Sequence, residues 1–392
     1  MASPFQLPGP WRVLGSMSGT SADGVDVALI EVDPGGFDGG SPFLGLLGHA
    51  QTPYPDELRA SVLAAAGNRL DPAALCILQR RLGDHHAEAA ASLCGKLKLQ
   101  PDLASLHGQT VQHHPEHGAT LQLADPYVLA ERLRCPVVFD LRRRDMALGG
   151  QGAPLVPKAE LWLHGADRPF LALNLGGIAN ATIWDGAKLH AWDLGPGMSL
   201  LDLAARRWLD LDFDPFGGHA TGAVDETRIL EWLKHPYFQA EPPKSTGREV
   251  FGEAWLEAET AALERLPLPD RLATLAAFTA SAVAHELHRI RLPLSGGLLS
   301  GGGAHHARLR EELAKGAPAL TWRVDKSLPS GSREAVSWAL LGAASAAGFP
   351  ANLPEVTGAT AEAVLGAWVF PRSGSSRGWP SSCSPAALKP GP

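Results

Sequence analysis

The sequence predicts an α/β protein made of two similar lobes. At 392 residues the chain exceeds the usual size of a single hydrophobic core. Segments with strand-like alternation are followed by helical segments, and this order starts again near the middle. In both halves a glycine turn follows the first strand. We place the lobes at 12–165 and 166–371, and we expect the Ser-, Pro- and Gly-rich tail 372–392 to be disordered.

Composition excludes several classes of protein. Apolar residues make up 45% of the chain and charged residues 19%, as in folded soluble proteins, and the formal charge of −7 gives no reason to expect nucleic acid or an anionic membrane as partner. There is no targeting segment and no apolar run of about 18 residues, so we predict a cytoplasmic protein. The four cysteines have neither zinc-site nor disulfide-framework spacing.

In the first lobe, alternation predicts strands and capped apolar periods predict helices. The expected strands are 12–17, 25–32, 43–54, 103–107 and 135–140, and the expected helices are 56–66, 72–97 and 126–133. The basic cluster Arg142 to Arg144 is expected in a loop before the glycine-rich passage 147–157. In the second lobe the expected strands are 169–177, 180–186, 188–195, 296–304 and 320–325. Helices are expected after Pro196, at 270–290, from His306, and at 332–347.

Three glycine-rich turns indicate a nucleotide. Small residues let the backbone approach an anion, and exposed N–H and hydroxyl groups bind phosphate without a lysine. The first turn is 16–24, the second is 174–180 and the third is 299–306. The first turn alone is equally well explained as an ordinary hairpin. There is no GxxxxGK[ST] motif, so a P-loop is excluded. Together the turns suit a cleft between lobes that clamps a nucleotide's phosphates and base.

A series of ordered motifs extends over nearly the whole chain: "GSMSGTSADGVD", "HGQTVQHHP", "NLGGIANAT", "WDLGPGMSLLD", "PPKSTGREVFG" and "LLSGGGAHH". These motifs resemble those of the anhydro-N-acetylmuramic acid kinases, within the actin-like ATPase and sugar kinase superfamily. The resemblance implies ribonuclease H-like lobes, each a mixed sheet flanked by helices, with the active site in the inter-lobe cleft. It also implies that ATP and water open 1,6-anhydro-N-acetylmuramic acid and that O6 is phosphorylated, as in peptidoglycan recycling.

The resemblance assigns roles to residues of this chain. Asp193 of "DLGPG" would be the general base, although without the resemblance a helix cap is the favoured role. Arg142 would bind the lactyl carboxylate, while Arg143 and Arg144 suit a solvated charge run. The candidate sugar contacts are Arg142, His107, Gln109, Thr110 and Glu334. The candidate nucleotide contacts are Gly19, Thr20, Ser21, Ala22, Asp23, Gly24, Val25, Asp26, Asn174, Gly176, Gly177, Gly301, Gly302 and Gly303.

The Mg²⁺ that accompanies ATP lacks an obvious ligand. Many sugar kinases of the superfamily have an aspartate in the first turn where this chain has Met17, so Asp23 and Asp193 are the candidate ligands. The resemblance also suggests a homodimer. The chain departs from the family pattern at Leu194, Met198 and the His305–His306 pair.

Three other readings compete with this one. The first is a hexose or N-acetylhexosamine kinase of the same fold that opens no ring. The second is an ATP-driven binding protein, although the chain shows no additional substrate-binding domain. The third is a metal-dependent hydrolase, against which the lack of clustered ligands counts.

Overall fold

The computed structural model describes residues 9–19, 21–165, 169–242, 244–289, 294–329 and 331–372. The chain divides into two compact units. Unit 1 comprises the described residues up to 165 and again from 331, and unit 2 comprises those from 169 to 329. Within the described ranges, no helix is long and apolar enough to cross a membrane.

Twelve strands and thirteen α-helices are found in these ranges. The strands are β1 (Trp11–Ser18), β2 (Gly24–Val32), β3 (Phe43–Pro53), β4 (Leu103–His114), β5 (Ala119–Leu123), β6 (Val137–Phe139), β7 (Phe170–Leu175), β8 (Ile178–Trp184), β9 (Leu189–Pro196), β10 (Gly296–Ser300), β11 (Thr321–Val324) and β12 (Ala367–Val369). The helices are α1 (Asp56–Ala66), α2 (Pro72–Leu97), α3 (Pro126–Leu133), α4 (Leu141–Ala147), α5 (Val156–His164), α6 (Ser199–Leu209), α7 (Glu226–Trp232), α8 (Pro236–Gln239), α9 (Glu253–Leu263), α10 (Leu268–Arg289), α11 (Ala307–Gly316), α12 (Arg333–Ala347) and α13 (Pro354–Thr357).

The two sheets share one strand order. In unit 1 the order is β12–β6–β4–β1–β2–β3, with β5 paired to β4, and in unit 2 it is β11–β10–β7–β8–β9. Each sheet begins as a three-stranded antiparallel meander, whose first strand is joined in parallel by one further strand, and that strand by another in parallel. In unit 1, β12 then pairs antiparallel with β6. The predicted α/β class, with two mixed sheets flanked by helices, is therefore confirmed.

Helix α12 is buried on all sides in unit 1. Every residue from Ala335 to Ala347 is buried, and the helix packs on β1, β2 and β4. Its backbone lies directly on the sheet, because a Cβ on Gly15 of β1 would be 1.9 Å from Ala335 O. Leu14 points the other way, into the core formed with α1, α2 and α3, since successive strand residues face opposite sides.

In unit 2, helix α10 is central to the core. It packs on β9, α6, α7 and α11, and thirteen of its residues are buried. The surrounding core holds Phe238, Phe251 and Phe278, whose rings lie within 6.5 Å of one another.

The structure differs from the sequence-based expectations at several points. Residues from 331 onward pack with unit 1, not with the second lobe, because α12 lies on β1 and β4. Arg142, Arg143 and Arg144 lie on the short helix α4, where a loop was expected. Strand β4 continues to His114, since its polar second half pairs with β5. Apart from Arg372, the predicted tail lies outside the described residues.

Candidate active site

The first glycine turn joins β1 to β2, and Gln109 of β4 braces it. The Gln109 side-chain amide donates to the Gly19 carbonyl at 3.1 Å, and its Oε1 lies 2.7 Å from the Ser18 hydroxyl. Across the turn, Ser21 Oγ donates to Asp23 Oδ1 at 2.8 Å. The structure therefore gives Gln109, expected as a sugar contact, a role in holding the turn.

The residues of this turn differ in what they can offer a ligand. Ala22 and Val25 are buried, so neither presents its side chain to a ligand. Gly24 packs against β3, where an added Cβ would meet a carbonyl oxygen at 2.4 Å. Gly19 is open, because its Cβ would meet no atom closer than 3.5 Å. Thr20 lies outside the described residues.

Three carboxylates act on one another beside this turn. Burial raises the pKa of Asp26 to about 7, and the charges of Glu334 and Asp23 add to the effect. The side chain of Glu334 still reaches water, but the surrounding protein atoms desolvate its carboxylate and raise its pKa. The charge of Arg142 lowers this pKa, and the charge of Asp23 raises it further. Such repulsion would be relieved by a cation. However, no three His, Cys, Asp or Glu side chains are grouped as metal ligands in the described ranges.

Arg142 is held rigidly by its neighbours in unit 1. Its Nε donates to His107 Nε2 at 3.0 Å, its Nη1 donates to Gly152 O at 2.9 Å, and its guanidinium lies 5.2 Å from the centre of the Trp338 ring. His107 accepts on Nε2, so its Nδ1 carries the proton and donates to Gly108 O at 2.8 Å. Burial and the nearby Arg142 lower the pKa of His107, consistent with a neutral ring. His107 thus orients Arg142.

The neighbours of Arg142 on α4 and of His107 on β4 contact solvent or other protein side chains. Arg143 pairs with Asp140 at the surface, and Arg144 is exposed, as a solvated charge run requires. Thr110 Oγ1 accepts a bond of 3.3 Å from the amide of Gln122 within the hairpin of β4 and β5. His113 likewise contacts Thr120 in that hairpin, with 3.0 Å between Nδ1 and Oγ1.

The second glycine turn, between β7 and β8, is fixed by the start of α6. The amide of Met198 donates to Gly176 O at 2.7 Å, and the amides of Gly197 and Ser199 each donate to Gly177 O at 3.0 Å. Position 197 requires glycine, since a Cβ would lie 2.2 Å from Gly176 O. The side chain of Arg248 lies beside this turn, with Nη2 3.3 Å from the position of a Cβ on Gly177.

The third glycine turn packs against the second. A Cβ on Gly301 would lie 2.7 Å from Asn174 Oδ1, and one on Gly303 would lie 2.7 Å from Leu175 Cβ. Gly302 would meet nothing within 4 Å and lines a cavity of about 490 Å³. The cavity is also lined by Gly176, Gly177, Met198, Asp202, Arg206, Phe213, Phe216, His305 and His306. Its volume suits a small-molecule ligand such as a nucleoside.

Asp193 lies on β9 and is held from the segment after α8. The amide of Thr246 donates to Asp193 Oδ2 at 2.9 Å, the amide of Asp193 donates to Lys244 O at 3.2 Å, and the hydroxyl of Tyr237 donates to Asp193 O. Burial raises the pKa of Asp193 to about 6, against the lowering effect of the Thr246 amide and with a further increase from Glu249.

The alternative role of Asp193 as a helix cap is wrong. Helix α6 begins at Ser199 after Met198, and no side chain caps it. The Asp193 carboxylate is instead partly buried and bonded to a loop amide. With an elevated pKa and a fixed orientation, it has the properties of a general base.

Comparison with known proteins identifies the family. Residues 11–371 match the model of the family described as anhydro-N-acetylmuramic acid kinase. The chain belongs to this family. A kinase of that name from Synechococcus sp. (strain CC9311) is 41% identical over 388 residues, which cover 92% of this chain and 100% of that protein. One from Synechococcus sp. (strain CC9605) is 42% identical, with 91% and 99% covered.

Solved structures give a weaker likeness. Component A of the (R)-2-hydroxyglutaryl-CoA dehydratase of Acidaminococcus fermentans has a TM-score of 0.46 at 10% identity, covering 86% of this chain and 99% of that one. A ROK hexokinase from Thermus thermophilus has a TM-score of 0.36 at 15% identity, covering 84% and 97%. Function is therefore inferred from the anhydro-N-acetylmuramic acid kinase family alone.

The structure accounts for the departures of this chain from the family pattern. Leu194 is fully buried in the core of unit 2, and Met198 lines the cavity. His306 caps α11, since its Nδ1 accepts from the amide of Leu309 at 3.2 Å. The main-chain geometry of the third turn is thus compatible with histidine.

Sequence reasoning missed the contacts made by "PPKSTGREVFG". That motif contributed to the resemblance, but no role was given to Lys244, Thr246 or Arg248. Thr246 acts through its main-chain N–H, which every residue except proline has, so no residue type signals it. The signal for Arg248 was available, because an arginine in a glycine-containing loop of a phosphate-transferring family is a candidate anion contact.

Proposed function

We propose that this chain uses ATP and water to open the internal ether of 1,6-anhydro-N-acetylmuramic acid and to phosphorylate O6. The proposal depends most on one observation in this chain, which belongs to the family. Asp193, the aspartate of the DxGPG motif, is a partly buried carboxylate that accepts a hydrogen bond from the Thr246 amide. The products are N-acetylmuramic acid 6-phosphate and ADP. The reaction suits the recycling of cell-wall peptidoglycan.

In the proposed reaction Asp193 takes a proton from water as the water oxygen bonds to the anomeric carbon. The bond from that carbon to O6 breaks, and O6 forms a bond to the γ-phosphorus of ATP while the bond to ADP breaks. A pKa of about 6 leaves Asp193 ionised at neutral pH and close enough to that pH to be an effective base. The proton then passes from Asp193 to solvent.

We assign the remaining groups by their chemistry. The guanidinium of Arg142 would bind the lactyl carboxylate in a two-pronged contact, with His107 and Gly152 fixing its orientation. In unit 2 the cavity beside Gly302 would take the adenosine, and the turn at Gly176 and Gly177, with Arg248 beside it, would contact phosphate.

Magnesium is part of the proposal as the ion that would neutralise charge on the phosphates. Asp23, exposed on the first turn, is the proposed ligand in unit 1, and the pKa shift of Asp26 is the observation that favours a cation there. Asp193 is the second candidate. One or two carboxylates, with water and phosphate oxygens, are sufficient for Mg²⁺. A homodimer in the cytoplasm also remains a proposal, and sedimentation velocity tests the dimer.

Isotope labelling tests the reaction. The protein is incubated with ATP, Mg²⁺ and the anhydro sugar in oxygen-18 water, and the products are analysed quickly because a free anomeric hydroxyl exchanges with water. We expect one label at the anomeric oxygen and an unlabelled phosphate ester at O6. Phosphorylation of N-acetylmuramic acid or N-acetylglucosamine, with the anhydro sugar untouched, would instead indicate a simple sugar kinase.

A further inference from the structure

One short stretch of unit 2 fixes both the main chain and the carboxylate of Asp193. Tyr237 bonds the carbonyl of Asp193, Lys244 O accepts its amide hydrogen, and the Thr246 amide bonds its Oδ2. Only the last of these contacts touches the carboxylate. The orientation of the carboxylate thus depends on where residues 244–246 are held.

Lys244 anchors this stretch. Its ammonium donates to Glu286 Oε1 at 2.8 Å, to Tyr237 O at 2.8 Å and to Ala240 O at 3.0 Å, which uses all three of its hydrogens. Lys244 is 7% exposed at its side chain and Glu286 is 0% exposed, so the ion pair is buried. The ammonium also lies 4.6 Å from the centre of the Tyr237 ring.

Glu286 connects the anchor to the strand that carries Asp193. Its second oxygen, Oε2, accepts from the indole nitrogen of Trp192 at 3.2 Å. Trp192 immediately precedes Asp193 on β9, and Glu286 lies on α10. The Lys244–Glu286 pair therefore holds the 244–246 stretch and β9 against the same helix.

A buried ion pair is a poor way to gain stability, because desolvation of the two charges offsets their attraction and an apolar pair of similar volume often does as well. We therefore consider what the Lys244–Glu286 pair holds in place. We propose that the Lys244–Glu286 pair is a positioning device that fixes the Thr246 amide on the Asp193 carboxylate, in the orientation needed to take a proton from water. This inference rests on the proposed function.

The loss of this anchor should act on the proton-transfer step and not on nucleotide binding. Lys244 and Glu286 are not among the residues that line the cavity proposed for adenosine. If the 244–246 stretch shifts, the Thr246 amide no longer fixes the direction of Asp193 Oδ2. The effect should therefore appear in kcat, while the KM for ATP stays unchanged.

The double variant Lys244→Met/Glu286→Gln tests this. It removes both charges together, and the amide oxygen of the introduced glutamine keeps an acceptor for Trp192, so no unpaired charge is left buried. We expect kcat to fall about tenfold, since a hydrogen bond to a charged group is worth roughly that much. The KM for ATP should stay unchanged. Lys234→Met, which removes a surface pair with Glu231, is the control and should match the wild type.

An unchanged kcat in a folded double variant, checked by circular dichroism, would overturn the proposal. If the double variant does not fold, Glu286→Asp, which keeps both charges but shortens the side chain by one methylene, is measured in the same assay; a smaller fall in kcat is expected there, and an unchanged kcat is the contrary result. Asp193→Asn separates this proposal from the proposed function. It should bind ATP but not turn over, and near-normal turnover would reject Asp193 as the base whatever the Lys244 variants do.

Discussion

The contact between Arg142 and the substrate's lactyl carboxylate can be tested by changing both partners. Arg142→Lys keeps the charge but removes the planar pair of donors. Two of the five guanidinium N–H groups are already used, one by His107 and one by Gly152 O, which leaves three for a ligand. Hydrogen bonds between charged groups contribute about 1.5–3 kcal/mol each. Loss of one such contact predicts a fall in kcat/KM of roughly 10- to 150-fold.

The assay measures ADP release with 1,6-anhydro-N-acetylmuramic acid and with 1,6-anhydro-N-acetylglucosamine, which lacks the lactyl group. The wild type should lose activity of that order between the two sugars, and Arg142→Lys should lose it on the first sugar but discriminate only about threefold between them. Arg144→Lys, on the exposed face of the same helix, is the matched control. If the fall in activity caused by Arg142→Lys and the fall caused by the missing lactyl group simply multiply in the variant, Arg142 does not contact the lactyl carboxylate.

Three further outcomes are expected. Gly19→Val should fold, since a Cβ there meets no atom closer than 3.5 Å, but should raise the Kd for ATP at least tenfold by calorimetry; an unchanged Kd would show that the first turn does not touch phosphate. Asp26→Asn should raise the free energy of unfolding in urea at pH 8 but not at pH 4. The pKa of Asp26 is raised from 3.8 to about 7, so the native protein binds this proton more tightly than the unfolded chain does. The stability of the wild type therefore falls as the pH rises between those two values. Asp145→Ala should lower the free energy of unfolding by about 3 kcal/mol, because the amide of Gly152, the Asn352 amide and the Thr357 hydroxyl all donate to this buried carboxylate; a loss below about 1 kcal/mol would contradict this.

Local patterns in the sequence were sufficient for most of the sheet framework. Alternation identified β1 and β2, and the Asp185–Gly186 dipeptide identified the hairpin of β8 and β9. These features depend on residues close together in the chain. Asp193 was expected at the end of a strand, but β9 continues beyond it to Pro196.

Long-range choices could not be predicted in this way. The apolar residues of α12 indicate burial, but nothing in them indicates that the helix packs on β1, more than 300 residues earlier in the chain. The pairing of Lys244 with Glu286 spans 42 residues and two elements. Arg142 was expected in a loop because the glycine passage follows it. It lies instead in α4, a helix of seven residues that precedes that passage.

The return of the chain to unit 1 has a consequence for its synthesis on the ribosome. Unit 2 is continuous, so its residues are all available as soon as that stretch has emerged. Unit 1 must wait, because α12, which covers β1, β2 and β4, is made near the end. Until then the apolar surface of those strands is open to chaperones and to other nascent chains. A premature stop codon shortly after residue 330 would therefore spare all of unit 2 and still prevent the earliest-made part of the protein from folding.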